Sequence, residues 1–284
     1  MQVVVAGAWP AEVFRLEGLP MSSAVPVAVF LAQMLRGCRG ILAKRSTIWV
    51  PLGHSLLCRC LELAWHNDTE SLYCANMIVP DDARTCIVFD FETTGISPAQ
   101  GDRSIEIGAI RLQGGKIVDR FQSLMHPGRR ISPFIENFTG ISNAMLVAAE
   151  PCAVVMQRFF DFAGDSNLVA HNASFDRRFL EAEYERIGRR HHGSFACSML
   201  AARRLCPEAP NHRLGTMVDY LSLPNVGTFH RALADAEMTA SLWLRLLELL
   251  GNRGPSNVSF TSMVRLCRTS KADLGKLVAQ LCEA

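Results

Sequence analysis

Apolar and polar positions alternate without clear order over residues 1–84 and become regular from Cys86 onward. Cys86-Ile-Val-Phe89 is a short apolar run of strand formers, the pattern of a buried strand, although periodicity alone also admits a helical segment. Ser104 to Leu112 reads as a second strand and Ile117 to Met125 as a third. The Gln113-Gly-Gly-Lys116 turn joins them, because consecutive glycines accept the positive φ that tight hairpins require. Pro133 to Phe138 predicts a short helix closed by Gly140. Pro151 to Phe162 predicts a longer one, with proline at its start and Gly164 beyond its end. Asn167 to Ala170 and Phe195 to Cys197 are short enough for a fourth and a fifth strand. Between them, Ser174 stands as an N-cap before Phe175, Phe179, Ala182 and Ile187 at near-helical spacing. Ser198–Leu205, Leu214–Leu221 and Arg231–Leu250 complete the helical pattern, and Gly251 stops the last. Hairpin strands followed by alternating helices and strands imply a mixed α/β sheet with helices on its faces.

Three segments follow: an irregular N-terminal extension (1–84), an orderly domain (85–250) and a C-terminal helical tail (251–284). In the extension, the apolar run Ala24–Leu35 contains Pro26 and Gln33 and falls short of the ~20 residues a membrane helix needs. Mixed charges at Glu12, Arg15 and Glu17 make it a poor secretory signal, so no membrane association is expected. Every charge between Gly18 and Leu61 is basic (Arg36, Arg39, Lys44, Arg45, Arg59), a dispersed set that reads as ordinary surface or as a patch for polyanions. Met77 lies nine residues before Cys86, where a compact domain can begin; the preceding residues are then a poorly ordered extension or lie upstream of the natural start. The tail, Val258 to Cys282, is amphipathic with Ser270-x-x-Asp273 as a capping box, and packing back on the domain is the simpler expectation for it than docking to a partner.

Composition changes this picture little. The 284 residues carry 29 basic against 27 acidic side chains, net +2, so nucleic-acid contact has to come from a local patch. The ten cysteines are scattered with no Cys-x-x-Cys, and His191 and His192 near Cys197 and Cys206 fit no common zinc spacing. Reduced thiols, several of them buried, and a cytoplasmic location are the expectation.

The candidate chemistry lies in the acids. Asp90 and Glu92 sit one residue apart at the end of the first strand, so both project from one face. Their repulsion and desolvation call for a cation, and a hard divalent ion with oxygen ligands answers the need. Asp176 falls in the first turn of its helix, where the dipole favours a carboxylate. His230 precedes Asp235 by five positions. Five helical residues subtend about 500°, so the two do not share a face, and His230 belongs on the loop entering the helix.

Asp90-Phe-Glu-Thr-Thr-Gly95, His171-Asn-Ala-Ser-Phe-Asp176 and His230-Arg-Ala-Leu-Ala-Asp235 resemble, in order, the three exonuclease motifs of the DEDDh superfamily. Glu106-Ile-Gly-Ala, Thr139-Gly-Ile-Ser, Cys197-Ser-Met-Leu and His212-Arg-Leu extend the likeness over roughly residues 84–250. Within the superfamily it looks most like the epsilon proofreading subunits of bacterial DNA polymerase III. A histidine five places before the acid, with Arg231 where the sister subgroup carries tyrosine, marks the histidine type.

The resemblance implies an RNase H-like mixed five-stranded sheet flanked by helices and a 3′→5′ exonuclease that hydrolyses DNA to nucleoside 5′-monophosphates. It implies two Mg²⁺ or Mn²⁺ ions, about 3.5–4 Å apart, held by Asp90, Glu92, Asp176 and Asp235. Asp90 bridges the ions, Glu92 and Asp235 hold the one that binds the attacking water, and Asp176 helps hold the second. His230 is the implied general base, an imidazole ordinarily titrating near pH ~6.5. Thr94, His171, Asn172 and Phe175 match the family's contacts to the terminal nucleotide. A phenylalanine one turn before Phe179 is more often core, the simpler reading of Phe175, and His171 reads equally as a satisfied strand-end histidine. The basic side of this helix, Arg177, Arg178, Arg186, Arg189 and Arg190, faces phosphate or water. The implied partners are a single-stranded or frayed 3′ end and a DNA polymerase III core. An RNA-directed enzyme resembling RNase T or oligoribonuclease shares the same motifs. A catalytically silent nucleic-acid-binding module is the remaining alternative, and it predicts loss of an acid or of the histidine, all of which are present.

Overall fold

The structure is a computed structural model that describes residues 2–6, 12–15, 45–51, 58–64, 74–75, 81–224, 230–255 and 258–283. It divides into two units, Met1–Ile78 and Val79–Ala284. Among the described residues the first unit has five strands: β1 (Gln2–Ala6), β2 (Glu12–Arg15), β3 (Arg45–Pro51), β4 (Cys58–Ala64) and β5 (Cys74–Ala75). They pair antiparallel in the order β2-β1-β3-β4-β5. Patterning offers no hairpin here, so this sheet departs from the irregular extension expected. The apolar run Ala24–Leu35, the basic residues Arg36, Arg39 and Lys44, and Met77 lie outside the described residues; Arg45 and Arg59 fall on β3 and β4.

The second unit is built on β6 (Cys86–Thr93), β7 (Ser104–Gln113), β8 (Lys116–Leu124), β9 (Leu168–Ala170) and β10 (Phe195–Cys197), in the order β10-β9-β6-β7-β8. β6, β7 and β8 form an antiparallel meander, while β9 and β10 join parallel to β6. The Gly114-Gly115 turn has φ of 57° and 81°, the left-handed pair a two-residue hairpin needs. Helices follow as α1 (Pro133–Thr139), α2 (Asn143–Val147), α3 (Cys152–Ala163), α4 (Ser174–Arg186), α5 (Ser198–Leu205), α6 (Leu214–Tyr220), α7 (Ala232–Gly251), α8 (Phe260–Arg268) and α9 (Leu274–Cys282). Among the described residues, no helix is long and apolar enough to cross a membrane.

Side-chain alternation along β6 decides what each face of the sheet meets. Phe89 projects to one side and packs with Phe159 of α3, which reaches Tyr184 of α4. Asp90 projects to the other, toward α7. There Gly108 of β7, paired with Asp90, lets the helix come down directly: a Cβ at Gly108 would lie 2.1 Å from the Leu233 nitrogen and 2.2 Å from the Ala232 carbonyl carbon. The absence of a side chain at this position is what seats the start of α7 on the sheet.

Three details differ from the expected pattern. Ser174 is the first residue of α4 rather than its cap, a place taken by Ala173 without a side-chain bond. The five-residue α2 is too short to show a periodicity, and its cap pairs Ser142 with Met145 in place of a glutamate. The tail is two helices. The first, α8, joins the core through Phe260, Met263 and Leu266, and Phe260 lies 6.0 Å from the Trp243 ring. Five of the cysteines described are free and buried and a sixth, Cys282, is free and exposed.

Candidate active site

β9 accompanies β6 only as far as Val88, so beyond that point one edge of β6 is unpaired. The Phe91 N–H on this stretch donates to the Asp176 carboxylate at 3.2 Å, which fixes the first turn of α4 against the strand. Asp90 and Glu92 lie on the opposite face to Phe91, toward the start of α7. Asp235 lies in the first turn of that helix and accepts the His230 backbone N–H at 2.9 Å. His230 itself stands at φ 67° on the loop before the helix, as the spacing predicts.

The four acids are crowded and poorly compensated. Burial pushes the Glu92 carboxyl up to about 8, with Asp235, Glu106 and Asp176 adding to the rise and Arg231 opposing it. Burial, then the charges of Asp176, Glu92 and Asp235, hold Asp90 well above the ordinary carboxylate range. Asp176 is raised by burial against the pull of two backbone N–H groups, and Asp235 is raised by burial against its bond from His230. Ligating atoms of Glu92, His230 and Asp235 all lie within 4.8 Å of one another. A set of carboxylate oxygens that repel each other, with one imidazole at the rim, has the donor chemistry of a hard divalent cation site.

One further acid organises the site from behind. Glu106, fully buried and paired across the ladder with Glu92, accepts from Arg231 at 2.9 and 3.2 Å, from the Ala232 N–H at 3.1 Å and from Gln122 at 3.0 Å. It therefore ties down both the loop carrying His230 and the orphan Ala232 N–H at the start of α7. The signal in the sequence is a lone acid at an inward position of a strand, whose partners lie 16 and 125 or more residues away in the chain.

The expected substrate contacts are placed less uniformly. Thr94 uses its hydroxyl internally, donating to Asp102 at 3.0 Å and accepting from Arg103 N–H and Arg129. His171 has both ring nitrogens engaged, with Ser198 Oγ and the His212 carbonyl each at 2.9 Å, and burial lowers its pKa to about 4. Asn172 is exposed at φ 66°. Phe175 is partly buried beside Phe179, ring centroids 5.0 Å apart. On the basic side of α4, Arg177 pairs with Glu181 and Arg186 with Glu183, so part of that charge is already answered within the helix. His191 is also inward-facing, its ring edge-on to Phe195.

Comparison with known proteins agrees with this geometry. A family model described as Exonuclease (RNase T) matches residues 87–243. The chain is 39% identical over 172 residues to a PolC-type DNA polymerase III of Listeria monocytogenes serovar 1/2a and 37% identical over 175 residues to that of Bacillus subtilis. These matches cover 60% and 61% of this chain, but it spans only 12% of the length of either relative. Among solved structures, exonuclease X in complex with 5′ overhanging duplex DNA superposes with a TM-score of 0.52 at 28% identity, covering 64% of this chain and 98% of that one. A 3′-exonuclease that recognises a histone mRNA stem-loop, at 19% identity and a TM-score of 0.51, shares the fold. With four motif acids and a histidine in order, a five-stranded sheet that gathers them, and a family model covering more than half its length, this chain belongs to the RNase T-type exonuclease family.

Proposed function

We propose that this chain is a 3′→5′ exonuclease that removes nucleoside 5′-monophosphates from the 3′ end of DNA, working in the context of DNA replication or repair in the cytoplasm. The observation that carries the reading is the convergence of Asp90, Glu92, Asp176 and Asp235, all with raised pKa values and no cationic side chain sufficient to neutralise them, beside an exposed imidazole. Two Mg²⁺ or Mn²⁺ ions held by these four acids would supply the charge that activates water and stabilises the departing 3′ oxygen. His230 accepts the proton of the attacking water; its position at the solvent side of Glu92 and Asp235 lets the proton leave afterwards. Asp235 holds the His230 backbone, and Asp176 holds its own place through Phe91, so the chain spends little reorganisation when substrate arrives. Exposed Asn172 and half-buried Phe175 are the candidate contacts to the terminal nucleotide, whereas Thr94 and His171 act through the loops they brace.

DNA is favoured over RNA because the similar segments occur in replicative polymerases and because exonuclease X is seen with DNA. A DNA polymerase III core is the partner this suggests. The test is a gel assay on 5′-labelled single-stranded DNA and RNA of matching sequence with Mg²⁺, Mn²⁺ or EDTA. A metal-dependent ladder shortening from the 3′ end of DNA, and much slower on RNA, is the expected result. Faster RNA shortening moves the substrate class, and an intact strand of either kind with folded protein sinks the reading.

A further inference from the structure

Two large aromatic side chains stand exposed together next to the site. Phe134 and Phe138 lie four residues apart on α1, on one face of the helix, and are 72% and 49% exposed. Their rings are nearly parallel, at 10° with centroids 5.9 Å apart. Phe138 in turn meets the imidazole of His230, at 4.1 Å between centroids and 40° between planes. The helix that presents Phe138 is held at both ends: Ser132 caps Ile135, the Thr139 hydroxyl donates to the Ile135 carbonyl, and Gly140 turns the chain away at φ 69°. Glu136 of α1 also accepts the Asn143 N–H, which binds α1 to α2.

His230 needs an external brace. Its backbone is in the left-handed region, uncommon for a residue with a Cβ, and is tethered by its own N–H to Asp235. Among the described residues no side chain or carbonyl forms a hydrogen bond with either ring nitrogen, so the Phe138 ring is the observed contact that orients the imidazole. Leaving both nitrogens unengaged keeps one available for a proton, and a ring face can orient an imidazole without competing for that proton.

We propose that Phe138, backed by Phe134, is a positioning residue that seats the His230 imidazole against the acid cluster. The inference rests on the reading of His230 as the general base. The test is a mutant cycle with Phe138→Ala, His230→Ala and the double variant. kcat and KM are measured on a 5′-labelled single-stranded DNA oligonucleotide with Mg²⁺, and the His230 imidazole proton shifts by NMR. Phe138→Ala is expected to lower kcat roughly tenfold or more while KM changes by less than about threefold, since small misplacement of a reacting group costs rate. Phe138→Tyr is expected to restore most of it, and Phe138→Leu, which keeps apolar bulk without a ring, is expected not to. In the His230→Ala background the Phe138 change is expected to cost nothing further. The imidazole protons are expected to lose a ring-current shift in Phe138→Ala. Multiplicative losses in the double variant, or a change in KM alone, overturn the positioning role and assign the ring to substrate stacking. Wild-type rates in His230→Ala overturn instead the reading of His230 on which the inference depends, and an unchanged imidazole shift in Phe138→Ala removes the contact itself.

Discussion

The second unit buries carboxylates in two contrasting ways. Glu183 on α4 is 1% exposed and meets Arg103 at 2.8 and 3.0 Å, Arg186 at 3.2 Å and the Ser104 N–H at 3.3 Å. Burial pushes its carboxyl up, but the bonds and charges of Arg103 and Arg186 outweigh that and bring it below its ordinary value. Asp176, two turns earlier on the same helix, has only backbone N–H partners and is driven upward. The lesson is that burial alone does not make an acid functional. A paired acid fastens elements together, whereas a set of unpaired ones stores a demand for cations from outside.

Experiments can press on this contrast, beginning with the largest effect. Asp90→Asn is expected to lower kcat on the order of 10³-fold, equivalent to about 4 kcal/mol of transition-state stabilisation, while the metal-free protein melts no lower than wild type. A clear fall in melting temperature would make Asp90 a structural acid like Glu183. Gly108→Ala drives a Cβ into the backbone of α7 and is expected to destabilise by ~3 kcal/mol or more, read by urea unfolding. Glu183→Gln is expected to cost about 2–3 kcal/mol in the same measurement, because it leaves the half-buried Arg103 guanidinium without its carboxylate, with modest change in kcat once folded.

The pH dependence separates the two classes by sign. Glu92 rises from an ordinary 4.5 to about 8 on folding, so between these values the folded state holds a proton that the unfolded chain has released. Its contribution to stability is fully present below about pH 4.5 and is lost as pH climbs through about 8. Glu183 runs the other way: its contribution is present above the ordinary carboxylate range and is lost as pH falls through its lowered value. The melting temperature of EDTA-treated protein is therefore expected to decline from about pH 6 to pH 8.5, and added Mg²⁺ is expected to flatten that decline, since ions replace protons on the cluster. A decline unchanged by Mg²⁺ would detach the acids from any metal. At the small end, Arg158→Ala breaks an exposed pair with Glu150 and is expected to shift unfolding by less than ~0.5 kcal/mol.

Much of this was legible before the fold. The alternation at Asp90 and Glu92, the double glycine at 114 and 115, and the separation of His230 from Asp235 are local patterns, and each appears in the structure where local geometry puts it. What could not be read depends on distant partners. Nothing near Glu106 announces Arg231, and nothing near His171 announces Ser198 and the His212 carbonyl, which use up the ring. The first unit eludes patterning because its sheet joins β1 to β3 across a long stretch of chain, and because β3 and β4, though consecutive, lack the clean apolar-polar alternation that marks a hairpin.

The limits of the second unit are set by its two extremities together. Ala83 N–H bonds the Val258 carbonyl, Phe260 N–H bonds the Asp81 carbonyl, and Trp243 on α7 donates to the Ala83 carbonyl at 2.8 Å. A splice made at residue 250, where the last long helix closes, would leave the Ala83 N–H and the Asp81 carbonyl without their partners and strip Phe260 from Trp243. Shuffling this exonuclease between proteins is therefore a matter of moving a closed loop of chain. The workable crossover points lie before Asp81 and beyond α8, and any graft must carry both.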